Sequence, residues 1–179
     1  MKKIGWLFAI MLVTVQLNAQ FTKATLQATG LTCAMCSNAI NKALQAKPFV
    51  QSVRSDIKNS AFNIVFRENA AVDIDEIRKA VEDAGFGIGS LKLTGNFKEV
   101  KIGEDMHVQI GDAHFHFLNT GSRVLDGEQT ITVVDKNFLT VKQFKKISHT
   151  ANMECIQTGK AASCCKGVAA GTRIYHVTI

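Results

Sequence analysis

Residues 29–40, TGLTCAMCSNAI, decide the fold of the first half of the chain. In this stretch Cys33 and Cys36 are separated by two residues and follow a glycine. A strand-like alternation precedes the two thiols, and a helix-like spacing follows them. Thiols at this spacing can hold a metal ion, exchange a disulfide or pack in a core, so the neighbouring segments have to distinguish these roles.

The segments on either side of this loop predict a strand and a helix. Residues 21–30 alternate between apolar and polar positions, and one strand face is predicted to carry Thr22, Ala24, Leu26 and Ala28. After the loop, Cys36, Ile40 and Leu44 recur at helical spacing. This helix should end before Pro48, because proline cannot continue it.

The residues that follow complete a second strand and helix pattern. Residues 50–57 and 61–66 are two strand-like runs. Asp73, with Glu76 three residues later, is typical of a capping box at a helix start. Residues 87–93 return as a strand. Together with the first strand and helix, the order is β-α-β-β-α-β, which predicts an α+β chain that begins with a ferredoxin-like domain.

Three segments of this first half resemble the heavy-metal-associated domain family: the loop GLTCAMC at residues 30–36, the helix after it, and IRKAVEDAGF at residues 77–86. The resemblance extends over residues 22–93, less than half of the chain. The family includes copper chaperones, soluble modules of copper-pumping ATPases and a periplasmic mercury-binding protein. The resemblance therefore implies a domain whose partners are a soft metal ion and a metal-transporting membrane protein or another metallochaperone.

The resemblance also assigns roles to four side chains. Cys33 and Cys36 match the two metal-binding cysteines of the family. Leu31 stands where the family commonly has methionine, a side chain that supports the loop without binding the metal. Phe86 occupies the position of an aromatic or lysine side chain near the metal, so the resemblance implies that it shields the site. Ordinary core packing would also explain this phenylalanine.

The chemistry of the Cys33 and Cys36 pair agrees with this reading. Thiolates are soft ligands and select soft, closed-shell ions such as Cu(I). Zinc usually takes four ligands, and this loop supplies two. A two-thiolate site is open on one side, so an incoming thiolate can attach before the old ones leave. Mercury(II) also fits two thiolates, so Hg(II) or another soft metal ion stays an alternative to Cu(I), and a periplasmic mercury(II) scavenger is an alternative role.

A thiol–disulfide redox protein would use the same two cysteines, and a structural disulfide between them is a third reading. Redox enzymes of this kind usually carry the motif in a thioredoxin-like fold, whose order of elements differs from the one predicted. The sequence shows no Ser/His/Asp order, phosphate loop or catalytic acid pair that stands out. It therefore favours a binding protein over an enzyme.

The first twenty residues have the layout of a secretory signal peptide. A short basic start, MKK, precedes an apolar run that is short for a membrane span, and the small residue Ala19 follows. We therefore expect a periplasmic or secreted protein without a stable membrane span after cleavage. The net charge of +6 comes without a basic run, so nothing favours nucleic-acid binding. The five cysteines are informative in an exported chain, because spare thiols tend to pair outside the cytosol.

From residue 95 onward the pattern changes to short strand-like runs separated by turn signals, and residues 138–144 and 152–157 are among the predicted strands. Short strands without a long helical stripe predict a small all-β domain, a sandwich or a barrel. The predicted organisation is a signal peptide at residues 1–20, a ferredoxin-like heavy-metal-associated domain at residues 21–94 and a β domain at residues 95–179.

The β domain contains a mixture of His, Met and Cys that is a candidate for a second soft-metal site. The candidate residues are His114, His116, Met153, Cys155, Cys164 and Cys165. His114 and His116 are predicted to share one strand face, and Met153 and Cys155 a face of another strand. His107 and His176 lie on further predicted strands.

Two other readings of these residues stay open. Cys155 can form a disulfide with Cys164 or Cys165, which would tie the last loop to the strands, whereas adjacent cysteines seldom bond each other. The histidines can be solvated surface residues. The β domain would then serve as an adaptor that binds another protein.

Overall fold

The computed structural model describes residues 20–31, 34–104, 106–150 and 153–179. Within these ranges the chain forms an eight-stranded sheet and four α-helices. In chain order the elements are β1 (Gln20–Thr29), α1 (Ala34–Gln45), β2 (Val50–Asp56), β3 (Ala61–Phe66), α2 (Ile74–Asp83), β4 (Gly87–Ile102), β5 (His107–Ile110), β6 (Ala113–Phe117), β7 (Arg123–Val133), α3 (Val141–Thr150), α4 (Glu154–Thr158) and β8 (Ile174–Thr178). A 3-10 helix, Lys136–Phe138, lies between β7 and α3. The predicted signal peptide lies outside the described residues, except for Gln20.

The first half folds in the predicted β-α-β-β-α-β order. β1 lies between β3 and β4 and is antiparallel to both. The N-cap predicted for the second helix is confirmed, because the Oδ1 atom of Asp73 accepts a hydrogen bond from the backbone N–H of Glu76 at 3.0 Å. The carboxylate of Glu76, predicted to complete a capping box, is paired with Lys47 instead. α1 ends at Gln45, ahead of Pro48, as predicted. The pattern of the sequence was sufficient to predict all six of these elements.

One side chain of β1 is placed differently from the prediction. A β-bulge between Phe21 and Lys23 shifts the register of β1 against β4. The alternation is therefore displaced by one residue before the bulge, so that Phe21 is buried and Thr22 is exposed. The other three predicted core positions of β1 are buried.

The prediction of a separate all-β sandwich or barrel in the C-terminal part is wrong. Strands β5 to β8 extend the sheet of the first half, in the order β2-β3-β1-β4-β7-β8-β6-β5. The long strand β4 joins the two parts, because it pairs with both β1 and β7. Gly95 lies inside β4, where a Cβ atom would come within 2.8 Å of the backbone oxygen of Gln20. This glycine permits a close approach of strands β1 and β4. The domain boundary at residue 94 stays a prediction.

Two of the predicted C-terminal strands are helices. Residues 138–144 contribute to the 3-10 helix and to α3, and residues 152–157 contribute to α4. At the start of α3 the backbone N–H of Thr140 donates to Oε1 of Gln143 at 3.0 Å, and the N–H of Gln143 donates to Oγ1 of Thr140 at 3.4 Å. This reciprocal cap favours a helix over the strand that the apolar residues predicted. None of the helices in the described ranges combines the length and the apolar character that crossing a membrane requires.

The sheet carries two apolar clusters. The first core contains buried side chains of α1 and α2, such as Ile40 and Ile77, together with most of the strands. The second core contains Phe144 of α3 and Ile156 of α4. Along β8, Tyr175 belongs to the first core and its neighbour Ile174 to the second, as expected when strand side chains alternate between the two faces. Helices of the first half and of the C-terminal part therefore cover opposite faces of the sheet.

Candidate metal centres

The CxxC loop lies between β1 and α1. Cys33 falls outside the described residues, so its predicted role stays a prediction. Cys36 is half-buried in the first turn of α1. Its neighbour Met35 is 84% exposed, whereas Ile40 on the same helix is fully buried in the first core. The packing of α1 on the sheet therefore holds Cys36 at the edge of the domain, next to an exposed methionine.

Gly30, Leu31 and Phe86 flank the CxxC motif and are described by the structure. Gly30 has a positive φ of 83°, and a Cβ atom built on it would lie 3.9 Å from Cδ1 of Phe86. Phe86 is half-buried and packs against the first core, as does Leu31. The Phe86 ring therefore lies beside the backbone that leads into the CxxC loop, which agrees with the position that the resemblance implied for it.

The second candidate site is brought together in part. His116 and Cys155 lie with His176 in one group whose ligand atoms are all within 4.8 Å of one another. Cys155 also lies with Cys164 and Cys165 in a second group of the same size. Among the residues that the structure describes, His114 belongs to neither of these groups. Met153 is half-buried on the second core, directly before α4.

The thiols of this second group are close but not bonded. The Sγ atoms of Cys164 and Cys165 are 3.6 Å apart, and Cys155, Cys164 and Cys165 are all free thiols. Burial raises the pKa of the Cys155 thiol above its usual range, and hydrogen bonds with Cys164 and Cys165 add to this effect. The pKa of Cys164 is lowered, because hydrogen bonds from the Cys155 backbone and side chain outweigh the opposing effect of burial. Cys164 is thus the thiol that gives up its proton more readily than Cys155.

A row of three histidines crosses the sheet beside these thiols. His107 of β5 is in register with His116 of β6, and His116 with His176 of β8. The ring centroids are 4.3 Å apart in the first pair and 5.2 Å in the second. His176 was not among the candidate residues predicted from the sequence. The histidines lie on three different strands, and the register that aligns His107, His116 and His176 depends on which strands become neighbours.

Asp135, just after β7, fixes the orientation of His176. Its Oδ1 atom lies 2.7 Å from Nδ1 of His176 and accepts a hydrogen bond from the His176 backbone N–H at 3.1 Å. The other ring nitrogen of His176, Nε2, is buried and has no hydrogen-bond partner within the described part of the chain. Metal-bound histidines usually direct their second ring nitrogen at a carboxylate in this way.

Arg173 connects Asp135 with the first half of the chain. Its Nη2 atom lies 2.8 Å from Oδ2 of Asp135, and its Nε atom donates to Oδ2 of Asp75 in α2 at 2.8 Å. The hydroxyl of Tyr175 also donates to Oδ2 of Asp75, at 3.1 Å. Burial by itself would raise the pKa of Asp75, but the hydrogen bond and charge of Arg173, helped by Tyr175, hold this pKa below its usual range. A continuous polar network thus runs from α2 to the histidine row.

Comparisons with known proteins bear on the first of these centres. Residues 25–87 match the family model of the heavy-metal-associated domain. The chain is similar to a probable copper-transporting ATPase, HMA5, of Arabidopsis thaliana, with 32% identity over 81 residues, which is 45% of this chain and 8% of that protein. It is also similar to a copper-transporting ATPase of Helicobacter pylori, with 39% identity over 57 residues, 32% of this chain and 8% of that protein.

A solved structure gives a further comparison, a copper binding domain from HMA7, a P-type ATPase. The two sequences are 32% identical, and the alignment covers 37% of this chain and 92% of that domain. The two structures superimpose with a TM-score of 0.34. The aligned part of the chain spans 8% of the length of each of the two ATPases above. The similarity is therefore to one of their domains, and this domain family consists of metal-binding modules.

Proposed function

We propose that the heavy-metal-associated domain that this chain contains at residues 25–87 captures a soft metal ion through Cys33 and Cys36 and passes it on by ligand exchange. Cu(I) is the ion that we assign first. The observation that carries the proposal is the family match, which spans the CxxC pair, together with the copper-transporting relatives. The role is one of binding rather than of catalysis.

Two thiolates at the start of α1 suit this role. They are soft donors, and a pair of them leaves the coordination shell of Cu(I) open to a third thiolate. The half-buried Cys36 and the exposed Met35 place this edge of the domain within reach of another protein. A partner thiolate can therefore bind the ion before Cys33 and Cys36 release it. The partner that fits is a metal-transporting membrane protein or another metallochaperone.

The proposal includes export to the periplasm or the outside of the cell. The support for export is the layout of residues 1–20, with a basic start, an apolar run and Ala19. In such a compartment the CxxC thiols are exposed to oxidation when no metal is bound. Hg(II), which also accepts two thiolates, is the alternative cargo.

The experiment is a Cu(I) titration against a competing chelator under anaerobic, reducing conditions. It compares the unsubstituted chain with a variant that carries Cys33→Ser and Cys36→Ser. We expect the variant to lose one tight equivalent of Cu(I). Asn38→Ala, an exposed substitution on the same helix, is the matched control and should retain it.

Retention of all Cu(I) by the double variant would show that the proposed site is wrong. The same titration with Hg(II) as competitor separates the two cargoes by their relative affinity. An insulin-reduction assay addresses the thiol–disulfide redox reading, since activity that depends on Cys33 and Cys36 would favour that reading over metal transfer.

A further inference from the structure

A second group of metal donors lies outside the CxxC loop and has no part in the function proposed above. It consists of His116, Cys155 and His176, whose ligand atoms lie within 4.8 Å of one another. Their exposed fractions are 1%, 0% and 0%. The three side chains come from β6, α4 and β8, so the tertiary fold rather than a local motif brings them together. We call these three residues the buried donor group.

Simple core packing does not account for this group. A buried polar atom normally has a hydrogen-bond partner, because an unsatisfied one destabilises the fold. The Oδ1 atom of Asp135 accepts a hydrogen bond from Nδ1–H of His176. The carboxylate therefore favours the His176 tautomer that carries the proton on Nδ1. Nε2 then presents a lone pair, is buried, and has no hydrogen-bond partner in the described ranges. A metal ion is the partner that such a lone pair fits.

We propose that His116, Cys155 and His176 bind a closed-shell ion that accepts both thiolate and imidazole ligands, Cu(I) or Zn(II), in a second site separate from Cys33 and Cys36. Thiolate and imidazole together suit these two ions. On binding, the Cys155 thiol loses its proton to solvent and the ion takes its place on Sγ. Asp135 acts as a positioning residue, because it holds the His176 ring through the nitrogen that does not bind the metal.

The charge of the group distinguishes how the two ions would bind. One thiolate and two neutral imidazoles carry a single negative charge, which one Cu(I) ion neutralises in a three-coordinate site. Zn(II) needs a fourth ligand and a second thiolate to reach neutrality. The neighbouring pair Cys164 and Cys165 supplies that thiolate, since their Sγ atoms and that of Cys155 lie within 4.8 Å of one another.

The surroundings favour a site that retains its ion. Cys155 is part of the second core, which also contains Phe144, Ile156 and Ile174. Apolar side chains around a metal site limit the access of water and of competing ligands. His107, half-buried at the outer end of the histidine row, is the side chain of that row nearest to solvent.

The test uses the full chain with Cys33→Ser and Cys36→Ser, so that the CxxC site is absent and a failure of the function proposed above does not affect the result. Of the five cysteines of the sequence, Cys155, Cys164 and Cys165 then remain, and thiol counting after reduction verifies that all three are available. Cu(I) and Zn(II) are titrated separately against chelators. We expect one equivalent of one of these ions to bind.

His176→Ala is then added to this background, and His114→Ala serves as the matched control. His114 lies on β6, two residues from His116, but outside both donor groups. We expect the equivalent to disappear with His176→Ala and to persist with His114→Ala. The absence of any bound equivalent in the background chain, an equivalent that His176→Ala leaves intact, or an equal loss in both variants would each overturn the proposal.

A second measurement needs no substitution in the buried donor group, so it holds even if His176→Ala fails to fold. X-ray absorption at the edge of the bound metal in the background chain should show nitrogen and sulfur neighbours together. For zinc these distances are about 2.0–2.1 Å to nitrogen and about 2.3 Å to sulfur. A shell of sulfur alone, as the three cysteines would provide, or of nitrogen and oxygen alone, overturns the proposed ligand set.

Discussion

The two proposed metal centres differ in the property that controls exchange, which is access to solvent. At the start of α1, the part of the CxxC motif that the structure describes, Met35 is 84% exposed and Cys36 is half-buried. The buried donor group combines side chains of β6, α4 and β8, and these three side chains are at most 1% exposed. A two-donor site at the surface is suited to handing an ion on, and an enclosed site with three or more donors is suited to keeping it. One chain thus combines the geometry for transfer with the geometry for retention.

The largest expected effect is on the rate of metal release. Cu(I) should leave the CxxC site at least about 100-fold faster than it leaves the buried donor group, because release from the core requires local opening of the fold. The measurement is stopped-flow transfer to a coloured Cu(I) chelator. Two variants are compared, each of which keeps one of the two metal sites. The variant with Cys33→Ser and Cys36→Ser keeps the buried donor group, and His176→Ala keeps the CxxC site. Equal rates from the two variants would remove the distinction between a transfer site and a retention site.

The next effect concerns the carboxylate behind His176. Asp135→Asn should weaken metal binding at the buried donor group by about 10–100-fold, because the substitution removes the charge that orients the ring. Chelator competition on the chain without the CxxC cysteines measures this change. In a chain that carries only Asp135→Asn and keeps Cys33 and Cys36, the affinity of the CxxC site should equal that of the unsubstituted chain.

Asp112→Asn, an exposed substitution in the turn between β5 and β6, is the matched control for charge. A similar loss of affinity with Asp112→Asn, or a parallel loss at the CxxC site, would show that Asp135 acts through general stability rather than through His176.

The sequence predicted the features that depend on neighbouring residues and missed those that depend on strand pairing. The β-α-β-β-α-β order follows from local periodicity and from the cap at Asp73. The prediction for Thr22 was wrong because a β-bulge in β1 shifts the register, and this bulge depends on the pairing of β1 with β4. The C-terminal strands were predicted to form a sheet of their own, because local patterns do not show that β4 continues past residue 94 and pairs with β7.

The second candidate site shows the same limit. The sequence identified Cys155, Cys164, Cys165 and His116 by residue type, and the fold does bring them together around Cys155 in two groups. It did not select His176, because the parallel pairing of β6 with β8 is not encoded in either strand alone. The role of Asp135 was likewise invisible, since an aspartate after a strand is usually a loop residue.

A smaller effect should follow from breaking the link between the two halves at Asp75. Asp75→Asn removes the ion pair with Arg173 and should lower the free energy of unfolding by about 1–2 kcal/mol at neutral pH, a range that allows for partial exposure to solvent. The pKa of Asp75 in the folded chain lies below the ordinary value of 3.8. The stabilisation is therefore present above that value and is lost as the pH falls through the folded pKa.

Urea unfolding at a series of pH values tests this link. The gap between the unsubstituted chain and Asp75→Asn should be largest at neutral pH and should close in acid. Asp83→Asn, in the last turn of the same helix and exposed, is the control and should change stability little. A gap that does not depend on pH would mean that the Asp75 charge contributes nothing.

An effect similar in size to that of Asp75→Asn is expected at Phe86, and it decides between the two roles that the sequence left open. Phe86→Ala removes a half-buried ring and should lower the free energy of unfolding by about 1–2 kcal/mol. If the ring shields the CxxC loop, the variant also releases Cu(I) to the chelator faster than the unsubstituted chain. Ile57→Ala, at a 62% exposed apolar residue, is the control. A loss of stability with an unchanged release rate would make Phe86 a packing residue, because the ring packs against the first core in either role and only the release rate depends on its covering the metal.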